Sequence, residues 1–173
     1  DPYLAETYMS KSQPSFNNFY YISKYVDESY EFYSRNQERY KNVYSRAMFP
    51  ASHIPPLFIK ISNPDVYWKA EFSDPLLFDI ESNIRESEVK ADALMDYLQS
   101  GVLNDFTRYV DNNLFNLAEI IPFALADELI FTNENQMNYM ISRFDEKLQE
   151  EIMKKATIKR HPTLDKEYYE VKQ

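Results

Sequence analysis

The chain has 173 residues, of which 44% are hydrophobic and 16% aromatic, a composition typical of one folded domain. It has no cysteine, which excludes disulfides, thiolate metal sites and cysteine nucleophiles, and it has no apolar run of about 18 residues that could cross a membrane. Its single glycine, Gly101, excludes glycine-rich phosphate loops and disfavours folds built from many hairpins. We therefore predict an all-α fold, an irregular helical bundle that forms one domain over residues 1–173.

The net charge of −9 is unevenly distributed along the chain. Residues 1–75 carry nine acids and eight bases, residues 76–153 carry sixteen and five, and residues 154–173 carry three and six. The middle segment, with a net charge of −11, repels phosphate backbones and anionic lipids. We expect no nucleic-acid binding and, if the segment has a partner, a basic protein. The alternative is that these charges serve solubility alone.

The first predicted element is a long, aromatic-rich helix over residues 15–48, between Pro14 and Pro50. One apolar stripe at helical spacing comprises Phe19, Ile22, Val26, Tyr30, Tyr33, Tyr40 and Tyr44. A second stripe, rotated by roughly 120° on an ideal helix, comprises Tyr21, Tyr25, Phe32 and Val43. Two stripes indicate packing on two sides, against another helix of this chain or against a separate molecule. Our candidate partner-binding residues here are Tyr21, Tyr25 and Phe32.

Residues 49–74 follow as a proline-rich connector, because the prolines preclude a continuous helix. The connector includes a β-like run, "LFIKI", and the only tryptophan. We expect it to be held against the core by Phe58, Ile61, Tyr67, Trp68 and Phe72.

Residues 75–156 are predicted to form an acidic helical segment. Asp74 and Pro75 have the pattern of an N-cap and a first helical residue, and Gly101 that of a C-terminal glycine, which predicts a helix over residues 75–100. Further helices are expected near residues 102–118 and 121–131, and a last one after a cap at Thr132 or Asn133. Residues 157–173 are predicted to be a surface tail.

Candidate chemistry is sparse. His53 and His161 both lie in proline-flanked segments without acidic or histidine neighbours at ligand spacing, so neither predicts catalysis or a metal site. We predict no cofactor. Glu88, Asp92 and Asp96 form a row at helical spacing that could bind a basic side chain or a cation, or simply be a solvated face. Asp92 and Asp96 complete our list of candidate partner-binding residues.

The leading functional hypothesis is a non-enzymatic protein-interaction module that uses a helical aromatic surface. The alternative is a carrier or sensor of an apolar small molecule in a helical pocket lined by Phe, Met and Tyr. An enzyme that uses carboxylates and tyrosines is a third hypothesis. The compartment stays open; because the chain starts at Asp1 without methionine, secretion or export is one expectation.

Overall fold

A four-stranded, all-parallel sheet is the centre of the fold in the computed structural model, which describes residues 40–47 and 49–160. The strands are β1 (Asn42–Arg46), β2 (Tyr67–Phe72), β3 (Glu128–Phe131) and β4 (Ala156–Ile158), and their spatial order is β1-β2-β3-β4. Helices connect each strand to the next. The fold is therefore α/β, and the prediction of an all-α helical bundle is wrong.

β1 corrects the end of the predicted long helix. Residues 42–46 form a strand that pairs with β2, from Asn42 opposite Tyr67 to Arg46 opposite Glu71. Tyr40 and Tyr44 are four residues apart, which is a helical spacing, and they were therefore assigned to one helical stripe. Residues at even spacing also share one face of a strand, so the same two tyrosines fit a strand as well. The remainder of that helix, with the candidates Tyr21, Tyr25 and Phe32, lies outside the described residues.

The predicted connector contains regular structure. A 3-10 turn (Pro50–His53) leads into α1 (Ile54–Ser62), so the run "LFIKI" is helical. Pro55 and Pro56 are tolerated because they occupy the first turn, where backbone N–H groups have no partner within the helix. The run "YWKAEF" then forms β2, which buries Trp68, Ala70 and Phe72 on one face.

The segment between β2 and β3 is less helical than predicted. Residues 75–91 contain no helix and instead make two isolated bridges, Phe78 with Ile84 and Glu88 with Asn113. The helix α2 is only Asp92–Tyr97; it continues through a π turn (Leu98–Val102), in which Gly101 has a φ of 99°, and a 3-10 helix (Asn104–Tyr109) follows.

The rest of this segment also corrects the sequence-based expectation. The helix α3 (Leu114–Leu125) has Pro122 inside it rather than at its start. The run "ELIF", expected to be helical, is β3.

Two helices separate β3 from β4, where one was predicted. They are α4 (Glu134–Ile141) and α5 (Glu146–Lys155), with Asn133 and Asp145 as their N-caps. Asn133 was one of the two predicted caps. β4 begins directly after α5 and includes the first residues of the predicted tail. Residues 161–173 lie outside the described part of the chain.

The main core lies on one face of the sheet. Its buried members from the strands include Trp68, Ala70, Phe72, Leu129 and Phe131, and they belong to one cluster with apolar residues of all five helices. The opposite face is mostly polar, with the side chains Tyr44, Arg46, Tyr67, Lys69, Glu71 and Glu128, and it also carries the buried Ile130. Among the described helices, none is both long enough and apolar enough to cross a membrane.

Candidate functional site at the carboxyl edge of the sheet

Polar residues collect where the four strands end. Because the strands are parallel, their carboxyl ends share one edge of the sheet. Arg46 ends β1, and the first residues after β2, β3 and β4 are Ser73, Thr132 and Lys159. These four residues come from segments that are far apart in the sequence. Strand pairing places them in a row along one edge of the sheet, with Arg46 of β1 and Lys159 after β4 at its two ends.

Arg46 is held in place by hydrogen bonds at one end of its guanidinium group. Its Nε donates to Ser73 Oγ at 2.8 Å and lies 3.2 Å from Glu71 Oε1. Glu71 is buried, and its Oε2 accepts a hydrogen bond of 2.5 Å from the Tyr44 hydroxyl. The pKa of Tyr44 is raised to about 12, because its hydroxyl is partly desolvated and donates to this carboxylate. Glu71 therefore helps to hold the Nε end of Arg46 in position.

The other end of Arg46 faces outward. Its side chain is 40% exposed. Within the described part of the chain, its hydrogen bond and ion pair are both made at Nε rather than at Nη1 or Nη2. An arginine fixed at Nε with both Nη groups available is oriented to bind an anion with two parallel hydrogen bonds.

Gln136 joins the ends of β2 and β3. Its Oε1 accepts hydrogen bonds from Thr132 N at 2.8 Å and from Thr132 Oγ1 at 2.6 Å, while its Nε2 donates to the carbonyl oxygen of Phe72 at 3.1 Å. Asn133 Oδ1 caps α4 by accepting from the backbone N–H of Gln136 at 2.8 Å. One buried amide thus sets the spacing of two strand ends and the start of α4.

A buried ion pair anchors the loop that follows β2. Glu119 of α3 is 1% exposed, and its Oε1 accepts from the backbone N–H groups of Leu76 at 2.8 Å and Leu77 at 3.0 Å. Its Oε2 lies 3.2 Å from Arg143 Nη2. Burial raises the pKa of Glu119, and Arg143 together with the two N–H groups opposes that rise. We call the contacts of Glu119 with Leu76, Leu77 and Arg143 the clasp. They fix the loop that follows β2 close to the carboxyl edge.

His53 belongs to a structural network behind β1. Trp68 Nε1 donates to Ser45 Oγ at 2.9 Å, and Ser45 Oγ lies 2.7 Å from His53 Nδ1. The indole can only donate, whereas the serine hydroxyl has one proton and two lone pairs and can bond Nδ1 in either tautomer of the ring. The other ring nitrogen is Nε2. That nitrogen is buried and has no partner among the described residues. Burial lowers the pKa of His53 to about 3, so the ring is neutral.

The acidic candidates are not brought to this edge as a row. Asp92 and Asp96 are exposed on α2, whereas Glu88 precedes the helix and forms a bridge with Asn113. The three do not share a helical face. Among residues 40–47 and 49–160, no group of three or more His, Asp or Glu side chains could hold a metal ion.

The residues that define this edge were missed in the sequence. Arg46 was placed inside a predicted helix, and Gln136 looked like an ordinary helical residue. Glu119 did carry a signal: it is the only charged residue in the apolar run "LFNLAEIIPFAL". A lone acid in such a run indicates a buried carboxylate that needs partners.

Fold and site together define the class of protein. It is an α/β domain with an all-parallel sheet and polar side chains along the carboxyl edge of that sheet. No family model, curated protein or solved structure matches the chain.

Proposed function

We propose that this domain binds a small anionic molecule at the carboxyl edge of its sheet. Open parallel sheets bind ligands outside the carboxyl ends of their strands, where the loops can be shaped without disturbing the core. The observation that carries the proposal is Arg46, which Ser73 and Glu71 hold at Nε while its side chain is 40% exposed.

Other groups at the edge support an anionic ligand. Lys159 is exposed at the end of β4, and Arg160 follows it. At the start of α4, the side chain of Asn133 caps the N–H of Gln136, which leaves the N–H groups of Glu134 and its successor directed outward at the positive end of the helix dipole. The edge thus offers cationic and N–H donors in a chain whose overall charge is −9.

Two acids beside the same edge narrow the ligand class. Asp74 follows Ser73, Glu134 begins α4, and both are exposed. An ionised carboxylate can accept hydrogen bonds but cannot donate them. Asp74 and Glu134 would therefore repel a purely anionic ligand and bind one that also carries hydroxyl groups. A phosphorylated, hydroxyl-bearing small molecule matches both sets of groups.

The two earlier hypotheses remain proposals with less support. For the protein-interaction module, the support is the exposure of Asp92 and Asp96. For a carrier of an apolar molecule, the described core offers less, because Phe72 packs directly on Phe131 and Phe123 with ring centroids 5.5 and 5.2 Å away. These three rings occupy the space between the sheet and the helices that an apolar ligand would need.

Amide chemical-shift mapping tests where an anion binds. The probe is pyrophosphate, titrated into the labelled full chain at a constant ionic strength of about 0.15 M so that screening does not change. We expect saturable shifts at Arg46, Ser73, Thr132 and Lys159. Shifts that never saturate, or that saturate only elsewhere on the molecule, would contradict the proposal.

A further inference from the structure

The loop Phe78–Ile84 is a closed, projecting turn. Phe78 and Ile84 face each other in an antiparallel bridge, and the backbone N–H of Asp79 donates to Asn83 O at 2.9 Å. The Asp79 carboxylate accepts from the N–H of Asn83 at 2.8 Å. Ser82 has a φ of 65°, in the left-handed region that residues other than glycine seldom adopt. Ile80, at the tip, is 100% exposed.

The loop is attached firmly to the rest of the domain. The Tyr139 hydroxyl donates to Ser82 Oγ at 3.1 Å, and the Tyr139 ring packs edge-on against Phe78 with centroids 5.9 Å apart. At the base, Arg85 Nη1 donates to the carbonyl oxygens of Pro75 at 3.0 Å and Leu76 at 3.2 Å. The tip is therefore presented in one conformation, which lowers the entropy cost of binding.

The exposed side chains of this loop form an apolar surface. Besides Ile80, Ile84 is 58% exposed and Tyr139 is 39% exposed. Single exposed apolar residues are ordinary, but two on one loop, together with the α4 tyrosine that packs against that loop, make a patch of the kind that contacts another molecule. We call these three residues the loop-tip patch.

The surroundings of the loop-tip patch are acidic. Residues 78–90 contain four acids and two bases. Arg85 donates to the carbonyls of Pro75 and Leu76, and Lys90 pairs with Glu88, so neither base lies beside Glu81 or Glu86 as an ion-pair partner in this structure. Glu81 and Glu86 are exposed next to the two isoleucines. An apolar patch beside uncompensated carboxylates is complementary to apolar residues flanked by lysine or arginine, and it disfavours an anionic membrane.

We propose that the loop-tip patch docks a basic, amphipathic segment of another protein. Ile80 and Ile84 would be covered by apolar side chains of that segment, while Glu81 and Glu86 would face its lysines and arginines. This surface is separate from the carboxyl-edge site and does not depend on the ligand proposed there.

The test uses a fluorescent amphipathic peptide of Leu and Lys, a matched Leu and Glu peptide, and vesicles of phosphatidylcholine with phosphatidylserine. The protein variants are the double substitution Ile80→Ser with Ile84→Ser, and the control Met153→Ser, which changes an exposed apolar residue of α5. Circular dichroism melts confirm that both variants fold. We expect the double variant to bind the Leu and Lys peptide at least about tenfold more weakly, and Met153→Ser to bind within about twofold of the original protein.

Three outcomes would overturn the proposal: no binding of the Leu and Lys peptide, equal binding of the Leu and Glu peptide, or an equal loss in Met153→Ser. Binding to the anionic vesicles that disappears in the double variant would instead assign the patch to a membrane. A further variant, Glu81→Lys with Glu86→Lys, is expected to remove most of the salt dependence of peptide binding.

Discussion

The side-chain amide of Gln136 donates from Nε2 to the carbonyl oxygen of Phe72 at 3.1 Å and so joins the first turn of α4 to the end of β2. Through Oε1 the same amide accepts from both the backbone and the hydroxyl of Thr132. Because β2 ends at Phe72 and Thr132 is the first residue after β3, Gln136 determines how far apart the loops of the carboxyl edge begin. The candidate site depends on this one buried side chain.

Gln136→Ala is therefore expected to destabilise the domain. It leaves the Phe72 carbonyl and the Thr132 N–H without their partner, which costs about 1–3 kcal/mol for a buried polar group. Asn138→Ala, at an exposed position of the same helix, is the control and should change the free energy of unfolding by less than about 0.5 kcal/mol. Urea denaturation measures both, and equal effects would show that the amide bridge is not important.

Removing the buried carboxylate of Glu119 is predicted to be more costly. Glu119→Ala leaves Arg143 without its counter-ion and the N–H groups of Leu76 and Leu77 without an acceptor, and breaking such a pair costs about 3–5 kcal/mol. Glu119→Gln keeps an oxygen for the two N–H groups and should retain part of the stability.

The control for Glu119 is the exposed pair of Lys147 with Asp105. Asp105→Asn should leave the midpoint of urea denaturation almost unchanged, because water already solvates both charges. If Glu119→Ala changed stability as little as Asp105→Asn does, the clasp would have no structural role.

His53 makes stability depend on pH. The pKa of its ring is lowered to about 3 by burial, whereas an unfolded chain binds the same proton near pH 6.5, the ordinary value. Between these values the unfolded state binds one more proton, so stability falls as pH falls, by about 1.4 kcal/mol per pH unit. His53→Gln should lose about 1.6 kcal/mol less stability than the original protein on going from about pH 6.5 to about pH 5, since the unfolded ring is already half protonated at the upper value. If urea denaturation showed that the stabilities of His53→Gln and the original protein change equally with pH, His53 would not be a buried neutral group.

Gly101 is required for its backbone conformation rather than for space. Its φ is 99°, and a Cβ atom added there would meet nothing within 4 Å. Gly101→Ala should therefore cost only the left-handed backbone term, about 1–2 kcal/mol. Gly101→Asn should cost less than the alanine variant, since asparagine tolerates that region better. A loss far above this range in thermal or urea unfolding would mean that Gly101 also packs against a neighbour.

The correct sequence predictions rest on local patterns. Asn133 caps α4 with its own side chain, as one of the two predicted caps. Gly101 has the positive φ typical of a C-terminal glycine, although the predicted helix over residues 75–100 is not formed. Each of these features depends on residues within a turn or two of one another. The residues responsible therefore stand close together in the sequence, where their pattern can be read.

The sheet was missed for a physical reason. The scarcity of glycine argues against tight hairpins, but parallel strands are joined by helices and need no such turn. The apolar run of β3 spans only four residues, and periodicity cannot separate so short a run from a buried helical turn. Its pairing with β2 joins residues far apart in the sequence, such as Phe72 and Phe131.

The candidate site could not be predicted for the same reason. Arg46, Ser73, Thr132 and Lys159 belong to four different segments, and no spacing in the sequence relates them. Only the shared register of four parallel strands places them at one edge.

The affinity of the Arg46→Gln variant for pyrophosphate is the most direct test of the proposed anion site. The control is Arg108→Gln, which removes an equal charge from an exposed arginine whose partner, Asp145, caps α5 and does not end a strand. At equal ionic strength, measured by calorimetry, Arg46→Gln should weaken binding at least about tenfold, because charged hydrogen bonds are lost, while Arg108→Gln should stay within about twofold. Equal dissociation constants for the two variants, or no saturable binding to the original protein, would contradict the account.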